Sequence, residues 1–173
     1  MVGRGRASIH PSLLWANLFL IGSVVLHGCT TEHTGTPAKV VAIIDGDTLE
    51  IAIRGHTVTT RLIGIDTPET KKPGSPVECH GPEATEFLRQ LVPPGTAVVL
   101  QRDVEGRDHY DRLLAYVFRI ADGLFVNREI IRRGFARPLS IPPNTTYARE
   151  FASQAAHARQ ERLGLWQCAS VTS

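Results

Sequence analysis

Apolar and polar positions along the chain predict β-strands in its first half. Residues 39–44 are mostly apolar and β-branched, which predicts a strand, and the Asp-Gly-Asp sequence at 45–47 predicts the turn after it. Residues 48–53 alternate apolar and polar side chains, as a half-buried strand does. A turn then leads to a third strand over 57–65, so the three strands form a β-meander with short turns.

A helix is predicted after a polar loop at residues 68–81 that contains Pro and Gly. Pro82 suits the first position of this helix, and four apolar residues then recur at helical spacing on one face: Ala84, Phe87, Leu88 and Leu91. The Pro-Pro-Gly sequence that follows Val92 ends the helix. Apolar runs at 97–101 and 112–119 predict the fourth and fifth strands.

Two more helices are predicted in the C-terminal part of the chain. The apolar pattern from residue 126 indicates a short helix that ends at Gly134. A Pro-rich connection at 138–143 precedes a longer helix that starts near Thr146 and has Gly164 at its C-cap. Five short strands, a helix inserted after the third and helices at the end predict an α+β domain whose sheet closes as a five-stranded OB-type β-barrel.

The N-terminal residues combine a basic start with an apolar stretch. Arg4 and Arg6 precede the apolar residues 13–26, which are fewer than the roughly 20 that a membrane-spanning helix needs. This pattern is typical of a secretory signal peptide. The stretch ends in Leu-His-Gly-Cys at 26–29, which resembles a bacterial lipobox with Cys29 as the lipidated residue. The alternative is an ordinary signal peptide that is cleaved nearby.

We therefore divide the chain into a lipoprotein-type signal peptide at 1–28, a tether at 29–37, a folded domain at 38–168 and a C-terminal tail at 169–173. We expect the protein in the cell envelope or outside the cell, held to a membrane by a lipid on Cys29. Cys79 and Cys168 would then remain as a pair in an oxidising compartment, and a disulfide between them is one hypothesis. The other is two unrelated thiols.

The charge of the chain argues against one mode of nucleic-acid binding. The chain has 19 basic and 17 acidic residues. Arg4 and Arg6 are the charged residues of the signal segment, so 17 basic residues face 17 acidic ones in the rest of the chain. Such a domain has no overall basic surface for nucleic acid. Phosphate binding would need locally clustered arginines or a bound cation.

The strongest candidate for a functional site lies at the end of the third predicted strand. Arg61 enters an apolar run that leads to Asp66, and Glu69 follows three residues later. Asp47 begins one strand and Asp66 ends another in the same meander, so both carboxylates can reach one rim of the sheet. Carboxylates, a backbone carbonyl and water suit a hard cation such as Ca²⁺. Taken singly, these aspartates also fit turns and strand ends, and Arg61 and Arg112 also fit surface positions.

Several motifs occur in a fixed order along the chain. They are Val-Ala-Ile-Ile-Asp-Gly-Asp-Thr at 41–48, Arg-Leu-Ile-Gly-Ile-Asp-Thr-Pro-Glu-Thr at 61–70, Gly-Pro-Glu-Ala at 81–84, Asp-His-Tyr-Asp-Arg-Leu-Leu-Ala-Tyr at 108–116, residues 127–136, and Leu-Gly-Leu-Trp at 163–166. With these motifs the chain resembles the thermonuclease, or staphylococcal nuclease-like, family over nearly all of the mature sequence. The resemblance implies an OB-type barrel with three helices. It also implies calcium-dependent hydrolysis of DNA or RNA with low sequence specificity, leaving 3′-phosphate ends, and we expect a monomer.

The resemblance also implies a role for each matched residue. The Ca²⁺ ligands would be the carboxylates of Asp47 and Asp66 and the backbone carbonyl of Thr67, with Asp45 as an acidic neighbour outside the ligand set. The catalytic residues would be Glu69, which holds the attacking water and acts as general base, and Arg61 and Arg112, which bind the scissile phosphate. Tyr110 would contact a nucleotide phosphate.

Three features depart from the family pattern. Asp111 stands where many relatives have glycine, and it could pair with Arg112 or repel phosphate. His109 stands where lysine or arginine is frequent, which removes a fixed charge. Residues 139–143 contain no tyrosine, so stacking on a base should be weak. We therefore expect weaker nucleic-acid binding than in a basic relative, with a steep loss of affinity as salt is added.

Two non-enzymatic functions compete with a nuclease. One is a catalytically silent OB-type module that binds nucleic acid at the envelope, and the other is a structural envelope lipoprotein. Silent domains tend to lose part of the catalytic and metal-binding set, whereas this chain has all of it: Asp47, Arg61, Asp66, Glu69 and Arg112. The complete set favours the enzyme.

Overall fold

The computed structural model describes residues 34–68 and 79–168, and the structural statements below concern these residues. Along the chain the elements are β1 (Thr36–Asp45), β2 (Thr48–Ile53), β3 (His56–Leu62), β4 (Ile65–Asp66), α1 (Gly81–Leu91), β5 (Ala97–Gln101), β6 (Leu113–Arg119), α2 (Val126–Arg132), β7 (Arg137–Pro138), α3 (Ala148–Gln160) and a 3₁₀-helix (Gly164–Gln167). No helix among these is long and apolar enough to span a membrane.

Five strands close into a barrel in the order β1-β2-β3-β6-β5, and β5 pairs back with β1. Four of the pairings are antiparallel, and β3 with β6 is the parallel one. The short strands β4 and β7 form a separate two-stranded sheet beside the barrel. The predicted α+β class with a five-stranded OB-type barrel and three helices is therefore confirmed.

The barrel is filled by the alternate apolar residues that the strand pattern predicts. Leu49 and Ile51 of β2 are fully buried, as are Ala115 and Val117 of β6. Four aromatic rings pack together where the helices meet the barrel, with centroids 4.6–6.3 Å apart. They are Tyr116 of β6, Phe125 at the start of α2, and Tyr147 and Phe151 at the start of α3 and within it. Edge-to-face and offset contacts of this kind add to the stability gained from burial. The helices are thus fixed to the barrel through its core.

The third predicted strand is in fact two. β3 ends at Leu62, and a turn at Ile63 and Gly64 separates it from β4. Gly64 has a φ of +81°, and a Cβ added there would lie 2.6 Å from a ring carbon of Phe151. The chain therefore turns where a glycine permits the left-handed backbone and the close approach of a ring from α3. As a result Ile65 and Asp66 pair with β7 instead of continuing the barrel.

The ends of the last two helices show one success and one error of the sequence prediction. Helix α2 ends at Arg132, and Gly134, where the sequence predicts the stop, lies just beyond it with a φ of +77° and a hydrogen bond from its N–H to the carbonyl of Ile131. Gly164 does not cap α3, so that prediction was wrong. Arg162 takes the left-handed cap position there, with a φ of +51° and a hydrogen bond from its N–H to the Arg159 carbonyl. Gly164 instead begins the 3₁₀-helix.

A fully buried asparagine joins helix α2 to the barrel. The Asn127 side chain accepts a hydrogen bond from the N–H of Val117 at 3.0 Å and donates to the carbonyls of Ile63 at 2.9 Å and Ala115 at 3.4 Å. Buried polar groups that lose such partners cost stability, so these bonds specify how the helix meets the strands. The contact at Ile63 ties α2 to the turn that separates β3 from β4.

A disulfide connects the two ends of the helical half. Cys79 lies directly before α1 and is bonded to Cys168, which follows the 3₁₀-helix, across 89 positions of sequence. The Cα atoms of the two cysteines are 6.5 Å apart, within the usual range for a disulfide. Of the two hypotheses for these cysteines, the structure contains the bonded pair.

Candidate active site

The guanidinium of Arg61 lies at the centre of the site. Its Nη1 atom donates to the backbone carbonyls of Leu62 and Ile65, both at 2.8 Å, so the side chain spans the turn between β3 and β4. Its Nη2 atom lies 2.9 Å from Oδ2 of Asp47 and 3.4 Å from Oδ1 of Asp66. One nitrogen therefore touches both carboxylates that the sequence predicts to meet at this rim.

Asp47 is held in the turn between β1 and β2. Its Oδ2 atom accepts hydrogen bonds from the N–H and the hydroxyl of Thr67, both at 3.1 Å, and its Oδ1 atom accepts one from the Thr48 hydroxyl at 2.9 Å. The N–H of Leu62 donates to the backbone carbonyl of Asp47 at 2.9 Å. The carboxylate is only 11% exposed, and each of its oxygens has a donor.

The glycine before Asp47 allows this turn to approach two other segments. A Cβ on Gly46 would lie 2.8 Å from the Thr67 hydroxyl oxygen and 3.0 Å from the Cβ of Ala84 in α1. Thr85 of α1 also donates from its hydroxyl to Oδ1 of Asp45 at 3.0 Å. Helix α1 therefore stabilises the Asp-Gly-Asp turn, in part through the hydrogen bond from Thr85 to Asp45.

Asp66 and Thr67 enter the site from the second sheet. Asp66 pairs with Arg137 across β4 and β7, and its side chain is 47% exposed, much more than that of Asp47. Thr67 is buried beside Asp47. The structure thus brings together all three residues predicted as metal ligands, namely Asp47, Asp66 and Thr67.

These three residues fit a hard divalent cation by their chemistry. They offer carboxylate and carbonyl oxygens, which are the donors that Ca²⁺ prefers. Asp47 and Asp66 both contact the Nη2 atom of Arg61, so the two carboxylates face the same point of the site. No cysteine or histidine lies among the predicted ligands, so softer metals are less well suited.

The second predicted phosphate ligand, Arg112, is oriented by Asp108. The Oδ2 atom of Asp108 accepts a hydrogen bond from Nε of Arg112 at 2.7 Å, and its Oδ1 atom accepts from the N–H groups of Tyr110 and Arg112, both at 3.0 Å. Burial raises the pKa of Asp108, but the hydrogen bonds and charge of Arg112 outweigh it and hold the pKa below its ordinary value. Asp108 therefore stays charged and fixes both the turn and the guanidinium.

Asp111 turns away from Arg112 toward a different arginine. Its carboxylate lies 3.1 Å from Nη1 of Arg107, and the same nitrogen donates to the Asp111 carbonyl at 2.6 Å. Asp111 has a φ of +61°, which explains why glycine suits this position and why aspartate is tolerated. The ion pair between Asp111 and Arg112, one of the two roles considered for Asp111, is therefore not formed. Nη1 and Nη2 of Arg112 make no hydrogen bond to the described residues.

Both arginines line one cleft of about 570 Å³. Its wall comes from β3 and β6, where Arg61 is the register partner of Leu114. Arg112 directly precedes β6, two residues before Leu114, and its side chain lines the same cleft as that of Arg61. The charged residues along the cleft are Arg61, Glu105, Arg107, Asp108 and Arg112. Three bases and two acids leave only a small excess of positive charge, as the balanced composition predicts.

Part of the cleft lining is apolar and comes from the segment 139–143, which contains no tyrosine. Leu139 and Ile141 line it and are 38% and 61% exposed. Tyr110 is 70% exposed, with its ring 3.7 Å from that of His109 and 5.3 Å from the guanidinium carbon of Arg112. The aromatic surface beside the arginines therefore comes from residues 109 and 110, on the opposite loop from 139–141.

Two of the predicted site residues lie outside the described residues. These are Glu69, the predicted general base, and Cys29, the predicted lipidation site. Pro68 is the described residue next to Glu69, and it directly follows Thr67, which is hydrogen-bonded to the Asp47 carboxylate.

Sequence reasoning assigned no role to Asp108 or to the Thr67 side chain. A local signal existed for Asp108, because an aspartate two and four residues before available N–H groups commonly accepts hydrogen bonds from them in a turn. For Thr67 no local signal exists, since its hydroxyl bonds to a carboxylate 20 residues earlier in the chain. That contact follows from barrel closure and not from spacing.

A second carboxylate, Asp103, fastens the loops around the cleft. It accepts hydrogen bonds from the Tyr116 hydroxyl at 2.8 Å and from the N–H and hydroxyl of Thr146 at 3.0 and 2.9 Å. Nearby, the Asn144 side chain exchanges two hydrogen bonds with the backbone of Glu105. Burial raises the pKa of Asp103, but the hydrogen bonds from Thr146 and Tyr116 together lower it by a larger amount, so the net pKa is below the ordinary value.

The amino-acid sequence is similar to those of known proteins. Residues 59–168 match the family model described as Staphylococcal nuclease homologue. The thermonuclease of Staphylococcus intermedius is 36% identical over 138 residues, covering 80% of this chain and 80% of that protein. In Bacillus subtilis strain 168, endonuclease YncB is 35% identical over 79% of this chain, and the SPbeta prophage-derived endonuclease YokF is 38% identical over 71%.

The chain belongs to the staphylococcal nuclease homologue family, because the family model and relatives above 30% identity cover most of it. The predicted family is thereby confirmed. The chain spans 41% of the length of YokF and 66% of that of YncB, so these relatives contain sequence that has no counterpart here. The matched range includes Arg61, Asp66, Thr67, Glu69, Tyr110 and Arg112.

Asp103 predicts how stability depends on pH. Its folded pKa is below the ordinary value, so its contribution to stability is complete above the unfolded pKa of 3.8 and is lost as the pH falls through the folded pKa. Asp103→Asn should therefore lower the free energy of unfolding at pH 7 and flatten its decline on acidification below pH 5. Urea unfolding at a series of pH values measures both effects. Asp111→Asn, at a side chain that is 85% exposed, is the control and should leave the slope unchanged. Equal slopes for wild type and Asp103→Asn would contradict the assignment.

Proposed function

We propose that this protein is a calcium-dependent nuclease that hydrolyses phosphodiester bonds of DNA or RNA with low sequence specificity. The observation that carries the proposal is the cleft that both Arg61 and Arg112 line, with Asp47 and Asp66 in contact with Arg61 and Thr67 hydrogen-bonded to Asp47. Family membership and the printed names of three nuclease relatives support the same reaction class.

The two arginines would bind the scissile phosphate and stabilise the charge that grows on it as water adds. Guanidinium groups suit this task because they donate two parallel hydrogen bonds to phosphate oxygens. Arg112 is prepared for it, since Asp108 holds its Nε and leaves its two terminal nitrogens as donors toward substrate. Arg61 donates to Asp47 and Asp66 as well, so phosphate must compete with these carboxylates for its Nη2 atom.

Asp47, Asp66 and the Thr67 carbonyl would hold the calcium ion. When bound there, calcium would supply a Lewis acid that draws charge from a phosphate oxygen and orients the phosphate. Glu69 would accept a proton from the attacking water, which then bonds to phosphorus. The bond from phosphorus to the 5′ oxygen would break, the leaving oxygen would take a proton from solvent, and the products would be a 3′-phosphate and a 5′-hydroxyl. Tyr110, exposed beside Arg112, would contact a neighbouring phosphate.

The direct test is degradation of single-stranded DNA, duplex DNA and RNA by the purified protein, with calcium and then with a chelator. Cleavage of at least one substrate that stops on chelation is the expected result.

Glu69→Gln should lower turnover by about 10²–10⁴-fold, because general base catalysis commonly contributes that much. Arg112→Lys should lower kcat/KM by about 10²-fold, because lysine cannot reproduce the fork that Asp108 orients.

Arg107→Lys is the matched control, because Arg107 lines the same cleft but pairs with Asp111. It should change kcat/KM by less than about fivefold, a smaller loss than that expected for a phosphate ligand. If none of the nucleic acids is cleaved in calcium while at least one is bound, the protein is a silent OB-type binding module. Equal losses for the two arginine variants would contradict the assignment of Arg112.

The calcium assignment has its own prediction. Asp66→Ala should raise the calcium concentration for half-maximal activity by about tenfold or more, because calcium affinity follows the number of charged ligands. Asp66 is the better choice than Asp47, since Asp47 is buried and also holds Thr67 and Arg61. Asp111→Asn is the control at an exposed carboxylate of the cleft loop. An unchanged calcium titration for Asp66→Ala would contradict its role as a ligand.

We also propose that the protein is anchored to a membrane of the cell envelope by a lipid on Cys29. Support comes from the sequence, where Leu-His-Gly-Cys at 26–29 follows a basic start and a short apolar stretch. Cys29→Ser should move the protein from the membrane fraction to the soluble fraction of cells that process lipoproteins. Immunoblots of the two fractions measure the shift, with Cys79→Ser as the control thiol variant. Unchanged fractionation of Cys29→Ser would remove the lipid anchor.

A further inference from the structure

We propose that Cys79, His80 and Cys168 form a zinc site when their disulfide is reduced. One ligand atom from each residue lies within 4.8 Å of the other two. In the described part of the chain this is the cluster of three such side chains that is compact enough to hold a metal ion. It is built from sulfur and nitrogen, so it differs in chemistry from the oxygen site at Asp47 and Asp66.

The histidine is the observation that distinguishes this cluster from an ordinary disulfide. His80 Nδ1 is buried and has no hydrogen-bond partner in the structure. A buried polar atom without a partner is costly, and it calls for an explanation. A metal ion bound by His80 after the two sulfurs are reduced would give this nitrogen a partner.

The backbone and the surrounding rings hold His80 in place. The residue is the N-cap of α1 in the left-handed region, with a φ of +66°, and its carbonyl accepts a hydrogen bond from Ala84. Its ring meets Phe135 edge to face at 6.5 Å, and Phe135 stacks on Phe87 of α1 at 4.5 Å. None of these contacts of the His80 ring and backbone involves a sulfur atom of the disulfide.

The donor set suits zinc. Zinc binds cysteine thiolate at about 2.3 Å and histidine nitrogen at about 2.0–2.1 Å in tetrahedral sites, which places neighbouring ligand atoms roughly 3.5–3.8 Å apart. The present separations need to contract or open by about 1–2 Å to reach that geometry. Cys79 is exposed, which gives the ion a path of entry, and three protein ligands leave the fourth position for water.

Reduction is required because the sulfurs cannot act as thiolates while they are bonded to each other. A trialkylphosphine supplies the two electrons: phosphine, water and the disulfide give phosphine oxide and two thiols. Zinc then replaces the two thiol protons, which pass to solvent. Because zinc binds only the reduced form, it must also make the disulfide easier to reduce.

The test uses the full chain with Cys29→Ser, so that Cys79 and Cys168 are its only cysteines. The protein is reduced with phosphine, freed of reductant without air, and titrated with Zn²⁺ against a chromophoric chelator. We expect one zinc per reduced chain and binding at least 100-fold weaker to the oxidised chain. Substitution of cobalt(II) should give the intense visible bands of a tetrahedral site and a near-ultraviolet thiolate band.

Two variants separate a built site from two reduced thiols. His80→Asn keeps a residue that tolerates the left-handed backbone but removes the imidazole, and it should weaken zinc binding at least tenfold. His157→Gln, at an exposed position of α3, should change the affinity less than twofold. Equal affinity of His80→Asn and His157→Gln, or equal binding by oxidised and reduced protein, would overturn the proposal.

A redox titration of the folded protein, with and without zinc, tests the proposal independently. With zinc at a thousand times its dissociation constant, the midpoint potential of the Cys79–Cys168 couple should rise by about 90 mV, since each tenfold in the equilibrium is 29.6 mV for two electrons. The shift should shrink by about 30 mV or more in His80→Asn at the same zinc concentration. A potential that does not move with zinc would also overturn the proposal.

Discussion

The contact between Arg61 and Asp47 is the interaction on which the rest of the site depends. It joins the turn after β1, the end of β3 and, through Thr67, the segment after β4. Both side chains are mostly buried, with 14% and 11% of their surfaces exposed. A buried pair of this kind adds little net stability over an apolar pair of the same size, but removing one partner costs about 3–5 kcal/mol because a charge is left without compensation. The pair therefore acts mainly to fix position, because it holds the guanidinium and the carboxylate that we propose to bind phosphate and cation in one geometry.

Barrel closure then decides what can join this centre. Arg112 is 51 residues from Arg61 in sequence, and it reaches the same cleft because β3 and β6 are paired in parallel. Asn127 stabilises that junction from behind, since it bonds to β6 and to the turn at Ile63. The core and the cleft are thus not separate parts of the molecule. The same two strands fill the barrel with Leu62 and Ala115, while Arg61 at the end of β3 and Arg112 just before β6 line the cleft.

Much of this fold could be predicted from the sequence, and the exceptions have a common cause. Alternation of apolar residues located the five barrel strands, and β2 agrees at both ends with its predicted range. The break at Gly64 was missed because the residues on either side continue the apolar pattern, while the reason for the turn is the ring of Phe151 in a distant helix. Gly164 was assigned to a helix cap by residue type, yet Arg162 takes that position because α3 ends at Gln160. Local patterns locate elements, and long-range packing sets where they stop.

The site shows the same division between local chemistry and distant contacts. Residue types, their order and the family resemblance pointed to Asp47, Arg61, Asp66 and Arg112, and in the structure Arg61 contacts both aspartates. The sequence could not show that each arginine of the cleft has an acidic partner within the protein. Arg61 contacts Asp47, Arg107 contacts Asp111 and Arg112 contacts Asp108. These partners hold the guanidinium groups in place at the expense of net positive potential. Under the proposed function, a cleft arranged in this way would select a phosphate by the position of its donors more than by long-range attraction, which is consistent with a domain whose basic and acidic residues are equal in number.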